Sequence, residues 1–174
     1  MLVVLHALVV LFAIAAPSTR TTSNPTSDAL RKVAAHHGVA ILAAAKLMPA
    51  ERYGYRPTPA QRSFGELAVH IVSDARVTCS AIAGTRVEPQ QKLAATDPKE
   101  KLVAALQTAI ERCDSAMAQV TDARLADTVT YYDEPALRVQ ALVGIADDWA
   151  DHYAQQAIYL RLNGILPPTA KPKS

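Results

Sequence analysis

The sequence predicts an all-α protein, a four-helix bundle, on three observations. Four long segments carry apolar residues at helical spacing and end at proline or glycine. Aromatic residues make up only 5% of a chain that is 50% hydrophobic and rich in alanine, which favours closely packed helices over a sheet. The connections from first to second and from third to fourth helix are longer than adjacent antiparallel helices need. They predict crossovers and exclude a simple up-down-up-down chain.

The chain opens on MLVVLHALVVLFAIAA, residues 1–16, a run without charged side chains. Ala13, Ile14 and Ala15 give the small-x-small pattern of a signal-peptidase site, and the run is shorter than the roughly 20 residues of a comfortable membrane span. A secretory signal peptide is expected, and hence an exported, periplasmic or secreted protein with no stable membrane span after its removal. Residues 17–26 then read as a linker.

The bundle domain is expected over residues 27–168, followed by a tail at 169–174. The first helix is predicted near Ser27–Leu47, with Ser27 or Thr26 as N-cap and a stop before Pro49. The segment MPAERYGYRPTPAQR, with three prolines and a glycine, is a connection. The second helix is predicted from about Ser63 to Ala83. Ser63 and Glu66 form an S-x-x-E capping box, Phe64, Leu67, Ile71, Ala75, Thr78 and Ile82 form the apolar stripe, and Gly84 is the stop. The third is predicted over Lys99–Val120 behind Asp97-Pro98, with Leu102, Leu106, Ile110, Cys113 and Met117 facing inward. TDARLADTVTYYDEP is a second long connection, extended around Val129 and Tyr131 at most, with no sheet expected. The fourth helix is predicted from Glu134 or Pro135 to Leu162, before Asn163-Gly164.

Eighteen basic and sixteen acidic residues are interspersed, for a net charge of +2, so the clustered cations of a nucleic-acid footprint are lacking. Cys79 and Cys113 fall on different predicted helices; they read either as one disulfide in an oxidising compartment or as two buried small hydrophobes. No GxSxG elbow, P-loop or GxGxxG is present.

On the fourth helix, Leu137, Ala141, Gly144, Asp148, His152, Gln155 and Tyr159 form a narrow stripe. Asp148 and His152, at i and i+4, stand one above the other and read either as half of a metal site or as a plain Asp–His hydrogen bond. His70 sits on the flank of the second helix's stripe, with Asp74 one turn on as an acceptor for its ring or as an exposed charge. His36 and His37 are adjacent, point about 100° apart, and read as surface or packing residues.

Three pieces in order, YRPTPAQRSFGELAVHI (55–71), CSAIAG (79–84) and HYAQQAIYLRLNGILPP (152–168), resemble the DinB-like family, which includes the YfiT-like metal-dependent hydrolases. The resemblance implies a four-helix bundle of up-down-down-up topology. It also implies a divalent metal held by one histidine on the second helix and an H-x-x-x-H pair on the fourth. Carried onto this chain, the ligands are His70, Asp148 and His152, with Asp148 standing where the family has histidine. Aspartate ligates zinc, nickel, iron or manganese, so the set still suits a divalent ion, though one of lower Lewis acidity than three imidazoles would give. The activity implied is hydrolase or thiol-transferase chemistry on a small-molecule substrate. The alternative is a non-catalytic binding or stress-related bundle with a degraded site, and a homodimer is open in either case.

Overall fold

The structure is a computed structural model that describes residues 23–89 and 92–170. The expected signal peptide at 1–16, most of the linker and the last four residues of the tail lie outside the described residues. Four helices dominate: α1 (Pro25–Leu47), α2 (Phe64–Ala83), α3 (Lys99–Ala118) and α4 (Arg138–Leu162). Among the described residues, no helix is long and apolar enough to cross a membrane.

Helix α1 starts two residues earlier than predicted. Neither Ser27 nor Thr26 is the N-cap; both lie inside the first turn behind Asn24 and Pro25, and proline at a first-turn position loses no hydrogen bond. The turn is capped from far along the chain. The Asp122 carboxylate accepts from the backbone N–H of Thr26 (3.1 Å) and of Ser27 (2.8 Å), and from the Ser27 hydroxyl (2.8 Å). Helix α2 has the predicted capping box, with Glu66 N–H donating to Ser63 Oγ and Ser63 N–H to the Glu66 carboxylate. Its stop is Gly84, at φ 73°, in the left-handed region where a side chain is strained.

The α3–α4 connection contains what the sequence reading missed, a β-hairpin of β1 (Thr128–Tyr131) and β2 (Glu134–Leu137). Its two turn residues, Tyr132 and Asp133, both have positive φ (49° and 64°). That is the primed turn whose twist suits a two-residue hairpin, formed here without the usual Asn-Gly. Glu134 and Pro135 therefore belong to β2, and α4 begins at Arg138.

The helix order around the bundle is α1, α4, α2, α3, each packed on its neighbours, so both α1–α2 and α3–α4 are diagonal pairs. The long connections cross the ends of the bundle, as predicted. Lys99 Nζ at the start of α3 donates to the Lys46 carbonyl at the end of α1, making those helices antiparallel. Tyr159 Oη near the end of α4 donates to the Arg62 carbonyl ahead of α2, making that pair antiparallel too. The bond between Cys79 and Cys113, each near the C-terminal end of its helix, makes α2 and α3 parallel, as up-down-down-up requires, and the 84–98 connection returns along the bundle.

The predicted stripes of α2 and α3 are all buried. That of α4 is not its core face. Leu137 is exposed, and Gly144, Asp148 and Gln155 are half-buried, while Leu142, Ile145, Trp149, Gln156 and Leu160 are fully covered. The stripe read from the sequence is the flank of α4 turned to α2 and the hairpin. Trp149 sets that rotation by seating its ring over Gly38 of α1, where a Cβ would lie 2.7 Å from Cζ3.

Candidate metal centre

Helices α2 and α4 run antiparallel, and their half-buried flanks bring His70 and Asp74 opposite His152. The rings of His70 and His152 meet edge to face with centroids 4.9 Å apart. His70 Nε2 lies 3.1 Å from Asp74 Oδ2, an i, i+4 pair along α2. Together His70, Asp74 and His152 offer three ligand atoms within 4.8 Å of one another.

Asp148 is placed differently from the other two predicted ligands. Its carboxylate lies 3.1 Å from His152 Nδ1, and its backbone carbonyl 2.6 Å from the same nitrogen. An Nδ1 facing two acceptors carries the proton, which leaves the Nε2 lone pair of His152 to bind a cation. Asp148 thus orients a ligand, the role the sequence suggested for Asp74, while Asp74 stands within the group itself. The predicted His70 and His152 are brought together. His36 and His37 are not: their rings meet edge to face on α1, and neither is a member of this group.

The electrostatics are those of a polar cluster short of positive charge. Burial raises Asp74 above the ordinary carboxylate value, and the pull of His70 only partly opposes it. Burial lowers His70 below the usual imidazole value, against the attraction of Asp74. Burial alone would lower His152 too, but the hydrogen bond and charge of Asp148 outweigh it and hold the ring above its ordinary value. Asp148 Oδ2 is buried without a hydrogen-bond partner.

Two imidazoles and a carboxylate are a donor set for zinc, iron, manganese or nickel. A tetrahedral ion with bonds of about 2.0–2.2 Å needs donors roughly 3.3–3.6 Å apart, so the group needs to contract by about an ångström. A bound cation would favour the ionised form of Asp74 that burial disfavours, and would add positive charge near the unpartnered Asp148 oxygen. The residues therefore fit a divalent metal.

The hairpin supplies a component that sequence reasoning missed. The hydroxyl of Tyr131 sits so close over Gly144 of α4 that any Cβ there would collide with it. Burial raises this phenol above its usual value; hydrogen bonding with Thr78 opposes that rise, and the charges of Asp148 and Asp74 add to it. Tyr131 therefore stays protonated over Gly144, one turn before Asp148 on α4. In the sequence Gly144 is only a small member of the α4 stripe, and the hairpin that brings Tyr131 over it was unreadable because the turn lacks its usual residues.

Residues 34–155 match the sequence profile of the DinB superfamily. The chain belongs to the DinB superfamily. Its fold is similar to that of solved DinB-like proteins. One from Bacillus cereus is 16% identical with a TM-score of 0.69, over 83% of this chain and 97% of that one. Another, from Bacillus subtilis, is 18% identical with a TM-score of 0.65, over 83% and 96%. A conserved protein from Enterococcus faecalis is 17% identical with a TM-score of 0.63, over 78% and 95%. No curated protein matches the chain in sequence. At these identities the DinB-like structures establish the bundle, while the metal group rests on this chain's own residues.

Proposed function

We propose that this DinB-superfamily chain is a divalent-metal-dependent enzyme with hydrolase or thiol-transferase type chemistry. The observation that carries the proposal is the convergence of His70, Asp74 and His152 ligand atoms within 4.8 Å. His70 and His152 would hold the ion through imidazole nitrogens and Asp74 through a carboxylate oxygen, with Asp148 fixing the His152 tautomer. An ion with three protein ligands keeps positions open and supplies Lewis acidity toward water, a thiol or a carbonyl. Tyr131 offers a protonated phenol beside that space, able to donate a hydrogen bond to an anionic substrate group. Of the two chemistries, hydrolysis is easier to reconcile with the export expected from residues 1–16, because low-molecular-weight thiols are cytoplasmic. The Cys79–Cys113 disulfide suits the same oxidising location.

The second reading, a binding bundle with a degraded site, is favoured by one feature: Asp148 turns to His152 instead of joining the group. Elemental analysis of protein purified without chelator separates the two. We expect about one divalent ion per chain, lost in His70→Ala and His152→Ala. Asp74→Asn is expected to abolish binding, and Asp148→Asn to weaken it about 10- to 100-fold, as loss of an orienting partner does. Stoichiometrically metal-free protein would sink the enzyme reading. Unchanged affinity in Asp74→Asn with abolished binding in Asp148→Asn would restore Asp148 as the ligand.

A further inference from the structure

On the other flank of α2, facing α3, lies a cavity of about 350 Å³. Val72 of α2, Leu93 of the 84–98 connection and Ala105 of α3 give it an apolar lining. Three cations border it: Arg76 of α2, and Lys101 and Arg112 of α3. Among the described residues, no acidic side chain lines it. The volume is in the range of small-molecule sites, which combine apolar walls with a few fixed polar groups.

The guanidinium groups are held in place but not neutralised. Arg76 donates from one Nη to the Glu88 carbonyl (2.6 Å), and Arg112 donates from Nη2 to Ser80 Oγ (3.3 Å). Ser80 is itself fixed by donating to the Arg76 carbonyl (2.8 Å). Both guanidiniums thus bond neutral oxygens, and among the described residues neither forms an ion pair. Lys101 is the exception, paired with Asp97 at 2.9 Å. Arg76 Nε is moreover buried with no hydrogen-bond partner. A buried donor of a charged group is rarely left unsatisfied in a finished structure. An apolar hollow between two uncompensated guanidiniums is complementary to a molecule with a hydrocarbon body and one anionic head, since guanidinium groups bind carboxylate and phosphate through paired N–H donors.

We propose that this α2–α3 cavity is a binding site for a small amphipathic anion, its hydrocarbon body against Val72, Leu93 and Ala105 and its carboxylate or phosphate-ester head between Arg76 and Arg112. The site is distinct from the metal group: His70 and Asp74 occupy the opposite flank of α2 and face α4. It does not depend on that group's being functional.

Isothermal titration of the purified full chain with decanoate, decyl phosphate and neutral 1-decanol, all below their micellar range, tests it. Saturable one-to-one binding of decanoate or decyl phosphate is expected, with decanol at least tenfold weaker; the tighter anion identifies the head group. Arg112→Gln, at an exposed position, is expected to lower anion affinity at least fivefold and to leave decanol unchanged. Ala105→Phe, which fills the hollow, is expected to abolish binding, and His152→Ala to leave it intact. Decanol binding as tightly as the anions, anion binding that survives Ala105→Phe in folded protein, or no saturable binding would each overturn the proposal. If Ala105→Phe does not fold, the Arg112→Gln comparison decides alone: equal anion affinity overturns the assignment.

Discussion

Gly38 shows how much one missing side chain decides. A glycine inside a helix costs about 1 kcal/mol relative to alanine, so by propensity alone Gly38→Ala should stabilise α1. The structure reverses the sign. The added Cβ would stand 2.7 Å from Trp149 Cζ3 and 3.2 Å from Ile110 Cγ2, and the Trp149 ring is fully buried and has nowhere to retreat. Overpacking of this kind costs about 1–3 kcal/mol, comparable to or larger than the propensity gain. Urea unfolding of Gly38→Ala should therefore show a net loss of stability of up to about 2 kcal/mol, and a gain would mean the ring can move aside. The same contact fixes the rotation of α4 and so the direction in which His152, one turn further on, presents its ring.

Helices α2 and α3 are parallel neighbours linked along the chain by the long 84–98 connection and cross-linked by the Cys79–Cys113 disulfide. Both cysteines are buried, and the bond settles in favour of a disulfide what their spacing left open. Closing a loop of sequence separation 34 removes unfolded-state entropy worth about 3–4 kcal/mol. Cys113→Ser should lower unfolding free energy by about that amount in denaturant titrations, and reducing agent should do the same to the wild type while leaving the variant unaffected. Equal stability of the wild type with and without reductant would show that the packing of α2 on α3 suffices.

Over the whole molecule, carboxylates at the helix starts make stability depend on acid. Asp122 is held below its ordinary 3.8 chiefly by the Ser27 N–H; burial opposes this, and the Thr26 N–H and the Ser27 hydroxyl add to the lowering. Glu66 is held below 4.5 chiefly by the Ser63 N–H, and Asp97 below 3.8 chiefly by the Ala94 N–H. A carboxylate whose folded pKa is depressed contributes stability that is fully present above the unfolded value and is lost as pH falls through the folded one. Melting temperature should thus decline as pH drops below about 4.5, the unfolded value of Glu66. Asp122→Ala isolates one contributor: the variant should melt below the wild type at pH 6, and the two curves should converge as pH falls through the depressed folded value, below 3.8. A gap that persists undiminished at low pH would mean that the Asp122 bonds to α1 do not depend on its charge.

Local chemistry determined a large part of this protein. Periodicity, the Ser63–Glu66 box and the Gly84 and Asn163-Gly164 stops fixed four helices to within a few residues, because caps and stripes depend on near neighbours in sequence. The same short-range logic, with the family resemblance, named His70 and His152. Tertiary structure decided what remained. Asp74 and Asp148 are equivalent on paper, each one turn from a histidine, and only the relative rotation of α2 and α4 made one a member of the group and the other a support. Tyr131 reached the site through a hairpin whose turn residues carry no usual signal, and α1 is capped by Asp122, nearly a hundred positions away. The reason is common to all three: side chains on separate elements meet only once large apolar residues such as Trp149 have chosen which faces lock together, and that choice is made by the whole core at once.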